Sequence, residues 1–239
     1  MAQNRSSAVM QQRAEANDSL DDFPTPPWAV RAVCRYIAQR LTARPLGDLT
    51  AREPCANRGH MLRPLQEYFA SVDASDVHDY GLGLPIRDFL FPIPLGKVDW
   101  TFMNPPFRLA EQFIERAIDT SNRGVVVIVR SAFLEGEGRH DRLFSRRPPS
   151  HLLQFVERVC MLKGRLVRYG EIDPMAEKPG TKATTATAYC VMIWLADRKG
   201  PAIFDWLSKC RLDLEIAGDY PSPPDGLATL HKGKIHEPL

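Results

Sequence analysis

The chain has 239 residues, with 44% hydrophobic and 25% charged side chains and a formal net charge of +2. These values are typical of a soluble globular protein and do not by themselves indicate a nucleic-acid partner. Because no run of about 18 apolar residues occurs and residues 1–22 are polar, we expect an intracellular, cytoplasmic protein without a membrane span or a secretory signal.

The first 70 residues predict a flexible arm followed by two helices with a strand between them. Residues 1–22 form the arm, and residues 24–28 (PTPPW) form an extended entry to the next element. Apolar residues at helical spacing predict a helix over 28–41, and a short strand follows over 46–54. A second helix is predicted over 59–70. Its inward-facing residues are Met61, Leu62, Leu65 and Phe69.

The next 60 residues continue the alternation of strand and helix. Residues 71–77 read as a strand that ends in acidic residues, and residues 97–103 as a strand that two prolines stop. An amphipathic helix is predicted over 109–121. Residues 124–130 are a continuous β-branched run, which is typical of a strand covered on both faces in a parallel sheet.

Two further strands are predicted over 152–162 and 186–196. The alternation of elements predicts an α/β fold with a Rossmann-like, doubly wound and mostly parallel sheet. Because the last two strands follow the last clear helix closely, we expect an antiparallel edge strand.

We expect one domain over 23–210, preceded by the arm and followed by a C-terminal tail over 211–239. Proline, glycine and charged residues collect near 134–150 and 169–183. These segments are candidate mobile loops inserted into the domain.

The cysteines and histidines show no pattern of a disulfide framework or a metal site. None of the five cysteines forms a CxxC pair, and the six histidines contain no HExxH motif. We therefore expect buried thiols and no bound metal.

The turn over residues 53–61 (EPCANRGHM) joins a predicted strand to a predicted helix and is the first candidate ligand site. Ligands of open α/β sheets bind at the carboxyl ends of the strands. Gly59 would allow backbone and ligand to approach closely, and Glu53 can accept hydrogen bonds from a ligand ammonium. The alternative is an ordinary strand-to-helix turn.

This turn resembles the first motif of class I S-adenosylmethionine-dependent methyltransferases, an acid-Pro-apolar-x-Gly-x-Gly pattern. Glu53, Pro54, Cys55 and Gly59 fit the pattern, and Asn57 stands where the first glycine is expected. Asparagine tolerates a positive φ better than most residues, so the turn is compatible with it. The resemblance implies that S-adenosylmethionine is the cofactor. It implies cofactor contacts from Glu53, Cys55, Ala56, Asn57, Gly59 and His60.

Acidic residues near the next predicted strand extend the resemblance. In this family an acid at the end of the second strand binds both ribose hydroxyls, which implies that role for Asp76, with Asp73 as the fallback. Val77 would pack on the adenine. The segment RDFL resembles the one whose acid accepts a hydrogen bond from the adenine amino group, which implies Asp88 and Phe89. The alternative is that these acids only form turns.

Residues 104–107 (NPPF) follow the strand over 97–103 and suit activation of an aromatic amine. Such an amine is a poor nucleophile because its lone pair is delocalised into the ring. The Asn104 side-chain oxygen and the Pro105 carbonyl can accept one hydrogen each, which favours a tetrahedral nitrogen. The two prolines hold that carbonyl rigidly and donate no competing N–H. Phe107 offers a flat apolar face on which a base can stack.

NPPF closely resembles the (Asn/Asp/Ser)-Pro-Pro-(Tyr/Phe) motif of methyltransferases that act on exocyclic or amide nitrogens. The resemblance implies that the catalytic residues are Asn104, Pro105, Pro106 and Phe107, with Asn104 also beside the cofactor.

Residues 23–28 (FPTPPW) resemble the amino-terminal cofactor segment of adenine methyltransferases. This resemblance implies contacts of Phe23, Thr25 and Pro26 with the methionine end of the cofactor. The alternative is a proline-rich helix entry.

The same tetrapeptide occurs in methyltransferases that act on several kinds of nitrogen. An asparagine at its first position, Asn104, and a phenylalanine at its last, Phe107, favour adenine as the target. The resemblance is closest to phage or bacterial DNA adenine methyltransferases, so DNA is the expected partner. The alternatives are methylation of adenine in RNA, methylation of a protein glutamine amide, and a binding module with a decayed cofactor fold.

Two clusters of basic residues are candidate phosphate contacts, with a solvated surface as the alternative. The first cluster is Arg139, His140, Arg142, Arg146 and Arg147. The second cluster is Arg158, Lys163, Arg165, Arg168, Lys178 and Lys182.

Overall fold

One seven-stranded sheet organises the part of the chain described by the computed structural model, residues 21–197 and 200–221. Its strands are β1 (Thr50–Glu53), β2 (Ser71–Ala74), β3 (Val98–Met103), β4 (Ser121–Arg130), β5 (His151–Phe155), β6 (Tyr189–Leu195) and β7 (Ile203–Leu207). The helices are α1 (Pro27–Arg40), α2 (Leu62–Tyr68), α3 (Ala110–Asp119), α4 (Glu137–Arg139) and α5 (Arg211–Leu214). None of the described helices has the length and apolar character needed to cross a membrane.

The strand order is β2-β1-β3-β4-β6-β5-β7. Strands β2, β1, β3 and β4 pair in parallel, and so do β5 and β7, whereas β6 pairs antiparallel with β4 and β5. The doubly wound, mostly parallel sheet is therefore confirmed. We expected the antiparallel strand at the edge of the sheet, and this position is wrong. The antiparallel strand, β6, is third from the β7 end. The reason is that β5 and β7 both add to the sheet beyond β6.

The side chains of β4 alternate between two cores, one on each face of the sheet. Val126 and Ile128 pack with α1 and α2, while Val125, Val127 and Val129 pack with α3. All five side chains are buried. The prediction of a strand covered on both faces is thus confirmed, and its apolar run is continuous because neither face meets water.

The two helices of the N-terminal half bury the residues that the sequence pattern indicates. Helix α1 starts at a proline, whose missing N–H is no loss in the first turn, and Val30, Val33 and Ile37 are buried. The residues predicted to face inward around α2 are all buried as well. They are Met61, Leu62, Leu65 and Phe69.

Several elements differ from the prediction in length or existence. Residues 46–48 form a 3-10 turn before β1 rather than part of the strand, and the strand predicted over 152–162 ends at Phe155. Strand β7 was not predicted at all. Its Phe204 and Trp206 side chains face solvent, so the segment lacks the buried alternation that marks a strand in sequence.

Residues 211–221, within the segment we assigned to a tail, pack against α1. The guanidinium of Arg31 donates hydrogen bonds to the Leu214 carbonyl at 2.8 Å and to Asp219 Oδ2 at 2.7 Å, and it also pairs with Glu67. The domain limits themselves stay a prediction. The remainder of the predicted arm and tail, residues 1–20 and 222–239, lies outside the described residues.

All five cysteines are free thiols. Cys34, Cys160 and Cys190 are buried, and Cys55 and Cys210 are partly buried.

Candidate functional site

A cleft with a cavity volume of about 210 Å³ opens at the carboxyl ends of β2, β1 and β3. The chain order of the strands reverses between β1 and β3, which is where ligands bind in doubly wound sheets. The predicted site residues that line the cleft are Phe23, Thr25, Glu53, Cys55, Ala56, Asn57, His60, Asp76, Val77, Asp88, Phe89, Asn104 and Pro106.

Four predicted site residues do not line this cleft: Pro26, Gly59, Pro105 and Phe107. Sequence analysis also missed several residues that line the cleft. They include Asp21, Met61, Tyr80, Arg87, Leu109 and Phe113. Most of these come from loops and from the start of α3, where no motif marks them, because their position depends on how the loops fold over the sheet edge.

The turn after β1 has the conformation that the motif requires. Asn57 has φ 49°, and it is the only non-glycine residue with a positive φ in the part of the chain described. Its backbone N–H donates to Asp76 Oδ2 at 2.9 Å, and its side-chain Nδ2 donates to Asp22 Oδ1 at 2.7 Å. Asparagine therefore adopts the left-handed conformation where a glycine was expected, and its amide also ties the turn to residues ahead of α1. Gly59 follows with φ 75°.

Glu53, the last residue of β1, is a buried acid, 1% exposed. Among the residues that the structure describes, no cation pairs with it and no group forms a hydrogen bond with its Oε2. Burial raises the pKa of Glu53 well above its ordinary value, and the nearby charge of Asp76 adds to the effect. A buried carboxyl group in this state is stabilised by a cation. The site thus suits a ligand that carries an ammonium group.

The two acids near the end of β2, Asp73 and Asp76, differ in their position and in their partners. Asp76 lines the cleft, and its two oxygens accept hydrogen bonds from the backbone N–H groups of Asn57 and His78. Asp73 does not line the cleft, and it pairs with Arg52 and with Arg87. The geometry therefore leaves Asp76, rather than Asp73, available to a ligand.

Val77, Asp88 and Phe89 also line the cleft. Val77 is exposed, whereas Phe89 is buried against the ring of Phe113 at a centroid distance of 5.3 Å. Asp88 is exposed, and its Oδ1 accepts a hydrogen bond from the Leu90 N–H at 2.9 Å. One carboxylate oxygen of Asp88 remains for a ligand.

His60 lines the cleft as a neutral imidazole. Burial lowers the pKa of His60 to about 4, and the charges of Arg63 and Arg58 contribute. Its Nδ1 is buried and has no hydrogen-bond partner among the described residues. In the part of the chain described, no group of three or more His, Cys, Asp and Glu side chains is placed to hold a metal ion.

Asn104, directly after β3, is held in one orientation. Its Nδ2 donates to the Phe23 carbonyl at 2.8 Å and to Thr25 Oγ1 at 3.1 Å, and it contacts Met161 Sδ at 3.7 Å. A carbonyl can only accept, so the amide nitrogen must face Phe23 and the amide oxygen must face the other way. Among the described residues no donor binds Asn104 Oδ1 or the Pro105 carbonyl. Both oxygens can therefore accept hydrogens from a ligand.

Phe107 lies beside the cleft and is already in contact on two sides. Its ring centroid is 5.5 Å from that of Phe23, and the guanidinium carbon of Arg130 is 3.9 Å from its centroid. The Phe107 N–H donates to Asp21 Oδ2 at 2.8 Å. Phe23, which lines the cleft, thus separates it from the Phe107 ring.

Ion pairs within the protein neutralise much of the two basic clusters. In the first cluster, Arg139 and Arg142 pair with Glu111, and Arg147 pairs with Asp119. In the second, Arg165 pairs with Asp173 and Arg168 with Glu171. These guanidinium groups have partners of their own, so they are weaker candidates for phosphate contacts than the sequence alone indicates.

No protein-family model matches the chain, and no curated protein sequence matches it. Solved structures do share its fold. A protein described as a class I S-adenosylmethionine-dependent methyltransferase from Listeria monocytogenes matches with a TM-score of 0.53 and 11% identity, covering 77% of this chain and 66% of that chain. A protein described as an RNA methyltransferase from Pyrococcus horikoshii matches with a TM-score of 0.51 and 15% identity, covering 78% of this chain and 94% of that chain.

A third similar structure is the type IIG restriction endonuclease BpuSI, with a TM-score of 0.50 and 14% identity. The match covers 76% of this chain but only 26% of that chain. At such low identities the likeness concerns the fold. The chain therefore has the fold of class I S-adenosylmethionine-dependent methyltransferases.

Proposed function

We propose that the protein is an S-adenosylmethionine-dependent methyltransferase that modifies the exocyclic amino nitrogen of adenine in DNA. The observation that carries this proposal is the orientation of Asn104, whose amide nitrogen is held by Phe23 and whose oxygen is left to accept. Asn104 lines the same cleft as Glu53 and Asp76, so a substrate amine at Asn104 lies next to a ligand in that cleft.

The residues of the cleft fit the cofactor. Glu53, whose buried Oε2 has no partner in the described part of the chain, would bind the ammonium of the methionine part. Asp76 would accept hydrogen bonds from the ribose hydroxyls, and Asp88 from the adenine amino group. When bound, S-adenosylmethionine supplies an electrophilic methyl group on a positively charged sulfur.

The remaining task of the protein is to orient and activate the substrate amine. Asn104 Oδ1 and the Pro105 carbonyl each accept one hydrogen of the amine, which draws its lone pair out of conjugation with the ring. An amine held in this way would be ready to accept the methyl group that the cofactor supplies, with the cofactor sulfur as the leaving group, and the surplus proton would leave to water. Asn104 cannot take this proton, so its role is orientation. Alignment of this kind, in a site shielded from water, is a large source of rate enhancement.

The first test compares substrates with a radiolabelled cofactor. DNA, RNA and protein are incubated in parallel, and label in DNA at the adenine amino nitrogen is the expected result. Asn104→Ala should lower the rate by about 100-fold or more, because one acceptor on the amine is lost. Asn122→Ala, an exposed asparagine on β4 away from the cleft, is the matched control and should keep full activity.

The second test separates the cofactor step from the substrate step. Calorimetry with S-adenosylhomocysteine should show binding to the wild type, and failure to bind at millimolar ligand would support the decayed binding module. Phe107→Ala should lower turnover more than cofactor affinity, because its ring lies outside the cofactor cleft. Equal losses in both quantities would contradict a role in base stacking.

Adenine in RNA is the second candidate substrate. The observation that favours it is the pairing of the loop arginines with internal acids, which leaves fewer charges for a long duplex backbone. The similar structure from Pyrococcus horikoshii is described as an RNA methyltransferase. Labelling of RNA in preference to DNA would favour this candidate, and labelling of protein alone would contradict both.

A further inference from the structure

The residues that end four parallel strands form a row across the site. In the spatial order of the sheet, Asp76 follows β2, Glu53 ends β1, Asn104 follows β3 and Arg130 ends β4. The first three line the cleft, and Arg130 stands next in the row on the side away from Asp76. It is therefore placed where the part of the substrate beyond the target amine would enter.

Within the described part of the chain, Arg130 has ring contacts but no anionic partner. Its guanidinium carbon lies 3.9 Å from the ring centroid of Phe107 and 5.5 Å from that of Phe23. Among the described residues, no carboxylate or carbonyl oxygen accepts a hydrogen bond from this guanidinium, and its Nε is buried and unsatisfied. This contrasts with the arginines of the first basic cluster, which bind Glu111 and Asp119.

A partly buried guanidinium with an unsatisfied donor is stabilised by an anion, and phosphate matches its fork geometry. Arg130 also lies over the ring of Phe107, the ring on which the target base is proposed to stack. Stacking of a base on that face requires the guanidinium to leave it. A phosphate of the same strand would be the partner that draws it away.

We infer that Arg130 binds a backbone phosphate of the strand that carries the target base, and that it leaves the Phe107 ring when the base stacks there. The inference rests on the proposed function and narrows its substrate class to a phosphodiester strand. A protein glutamine amide would bring no phosphate to this guanidinium. Arg130 is thus a substrate-binding and positioning residue, and it takes no part in the transfer of the methyl group.

The experiment measures the affinity of the protein for a mixed-sequence single-stranded DNA oligonucleotide over a series of KCl concentrations, with saturating S-adenosylhomocysteine. Arg130→Gln should weaken binding about tenfold at low salt. The slope of log K against log salt concentration should fall in magnitude by about 0.7, the value for one phosphate contact on a single strand. Arg130→Lys keeps the charge and should keep most of the slope.

The matched control is Arg142→Gln, which removes an exposed guanidinium that pairs with Glu111. It should leave the slope unchanged. Adenosine, which has no phosphate, should bind Arg130→Gln at least as well as it binds the wild type, because the ring face is uncovered. Thermal unfolding checks that each variant folds. Arg130→Met, which keeps an unbranched apolar chain over the rings, replaces Arg130→Gln if that variant unfolds.

Three outcomes would overturn either the role of Arg130 or the proposed function. If the wild type methylates DNA but Arg130→Gln keeps its affinity and salt slope, the role of Arg130 is refuted and the proposed function stands. If the wild type neither binds S-adenosylhomocysteine nor transfers label to any substrate, the proposed function itself fails. Equal slope losses in Arg130→Gln and Arg142→Gln would mean a general effect of charge, which also overturns the role of Arg130.

Discussion

Glu53 is the residue whose state in the structure most directly indicates a ligand. An acid with 1% exposure and an unsatisfied oxygen costs free energy of folding unless it holds a proton or meets a cation. Natural proteins retain such groups where function needs them. In this protein the acid ends the strand at which the sheet order reverses, so a cationic ligand is the simplest reason for keeping it.

The raised pKa of Glu53 predicts how stability depends on pH. The folded protein keeps a proton on Glu53 that the unfolded chain loses above the ordinary pKa of 4.5, so this stabilisation is complete below pH 4.5 and is lost as pH rises through the folded pKa. Glu53→Gln has no such proton to lose. Its Tm should therefore rise relative to that of the wild type as the pH increases above 4.5.

The same variant should bind S-adenosylhomocysteine at least about tenfold more weakly, because a charged partner for the ammonium is gone. Calorimetry and thermal unfolding at matched pH check both parts. Glu177→Gln removes an exposed carboxyl group and is the control, with no change expected in either quantity. A Tm difference that does not vary with pH would contradict the assignment of a raised pKa.

At the scale of elements, one buried arginine joins three segments that are distant in the chain. Arg31 of α1 is 4% exposed and binds Glu67 of α2, the Leu214 carbonyl at the end of α5, and Asp219 beyond it. Its side chain therefore holds the segment after β7 against α1 and α2. Several hydrogen bonds on each charge compensate for its removal from water.

Arg31→Met should lower the free energy of unfolding by about 3–5 kcal/mol, because Asp219, with 5% side-chain exposure, is left buried and unpaired. Urea unfolding measures the loss. The matched control is Arg44→Met, whose pair with Asp48 is exposed and should cost less than about 1 kcal/mol. The double change Arg31→Met with Asp219→Leu should recover part of the loss. A double variant no more stable than Arg31→Met would show that the pair is not the source.

At the scale of the whole molecule, the site depends on residues ahead of α1 that fold back over the sheet edge. The Phe23 carbonyl fixes Asn104, Asp21 accepts from the Phe107 N–H, and Asp22 binds both Asn57 and Arg58. The segment over 21–26 therefore connects the turn after β1 to the turn after β3. It contacts the two motifs that the proposed reaction brings together.

Asp22→Ala should reduce the affinity for S-adenosylhomocysteine by about three- to tenfold, because the Asn57 turn loses one tie that holds it in its left-handed conformation. Global stability should change little, since Asp22 lies outside the two main cores. Calorimetry and thermal unfolding give the two quantities. The control is Asp48→Ala, an exposed acid in the turn before β1. A large loss of Tm with unchanged affinity would assign Asp22 a purely structural role.

The sequence by itself determined the parts of this protein that local chemistry controls. The continuous β-branched run of β4, the helical spacing in α1 and the prolines after β3 predicted elements that the structure contains. Most residues of the acid-Pro turn, and Asn104 and Pro106 of NPPF, line one cleft, whereas Gly59, Pro105 and Phe107 do not. Asn57 could be recognised as a stand-in for glycine because its tolerance of positive φ is an intrinsic property.

Only the tertiary structure decided the rest. The position of β6 inside the sheet depends on β5 and β7, which pair beyond it. Strand β7 forms because its backbone pairs with β5, and its side chains show no alternation of buried and exposed residues that would predict a strand. The partners of the loop arginines depend on which acids from other segments lie nearby, and so does the lack of an anion beside Arg130 among the described residues. Whether a charged side chain can bind a ligand depends on whether a residue distant in the chain already pairs with it. Such long-range contacts leave no local pattern in the sequence, so they could not be predicted from it.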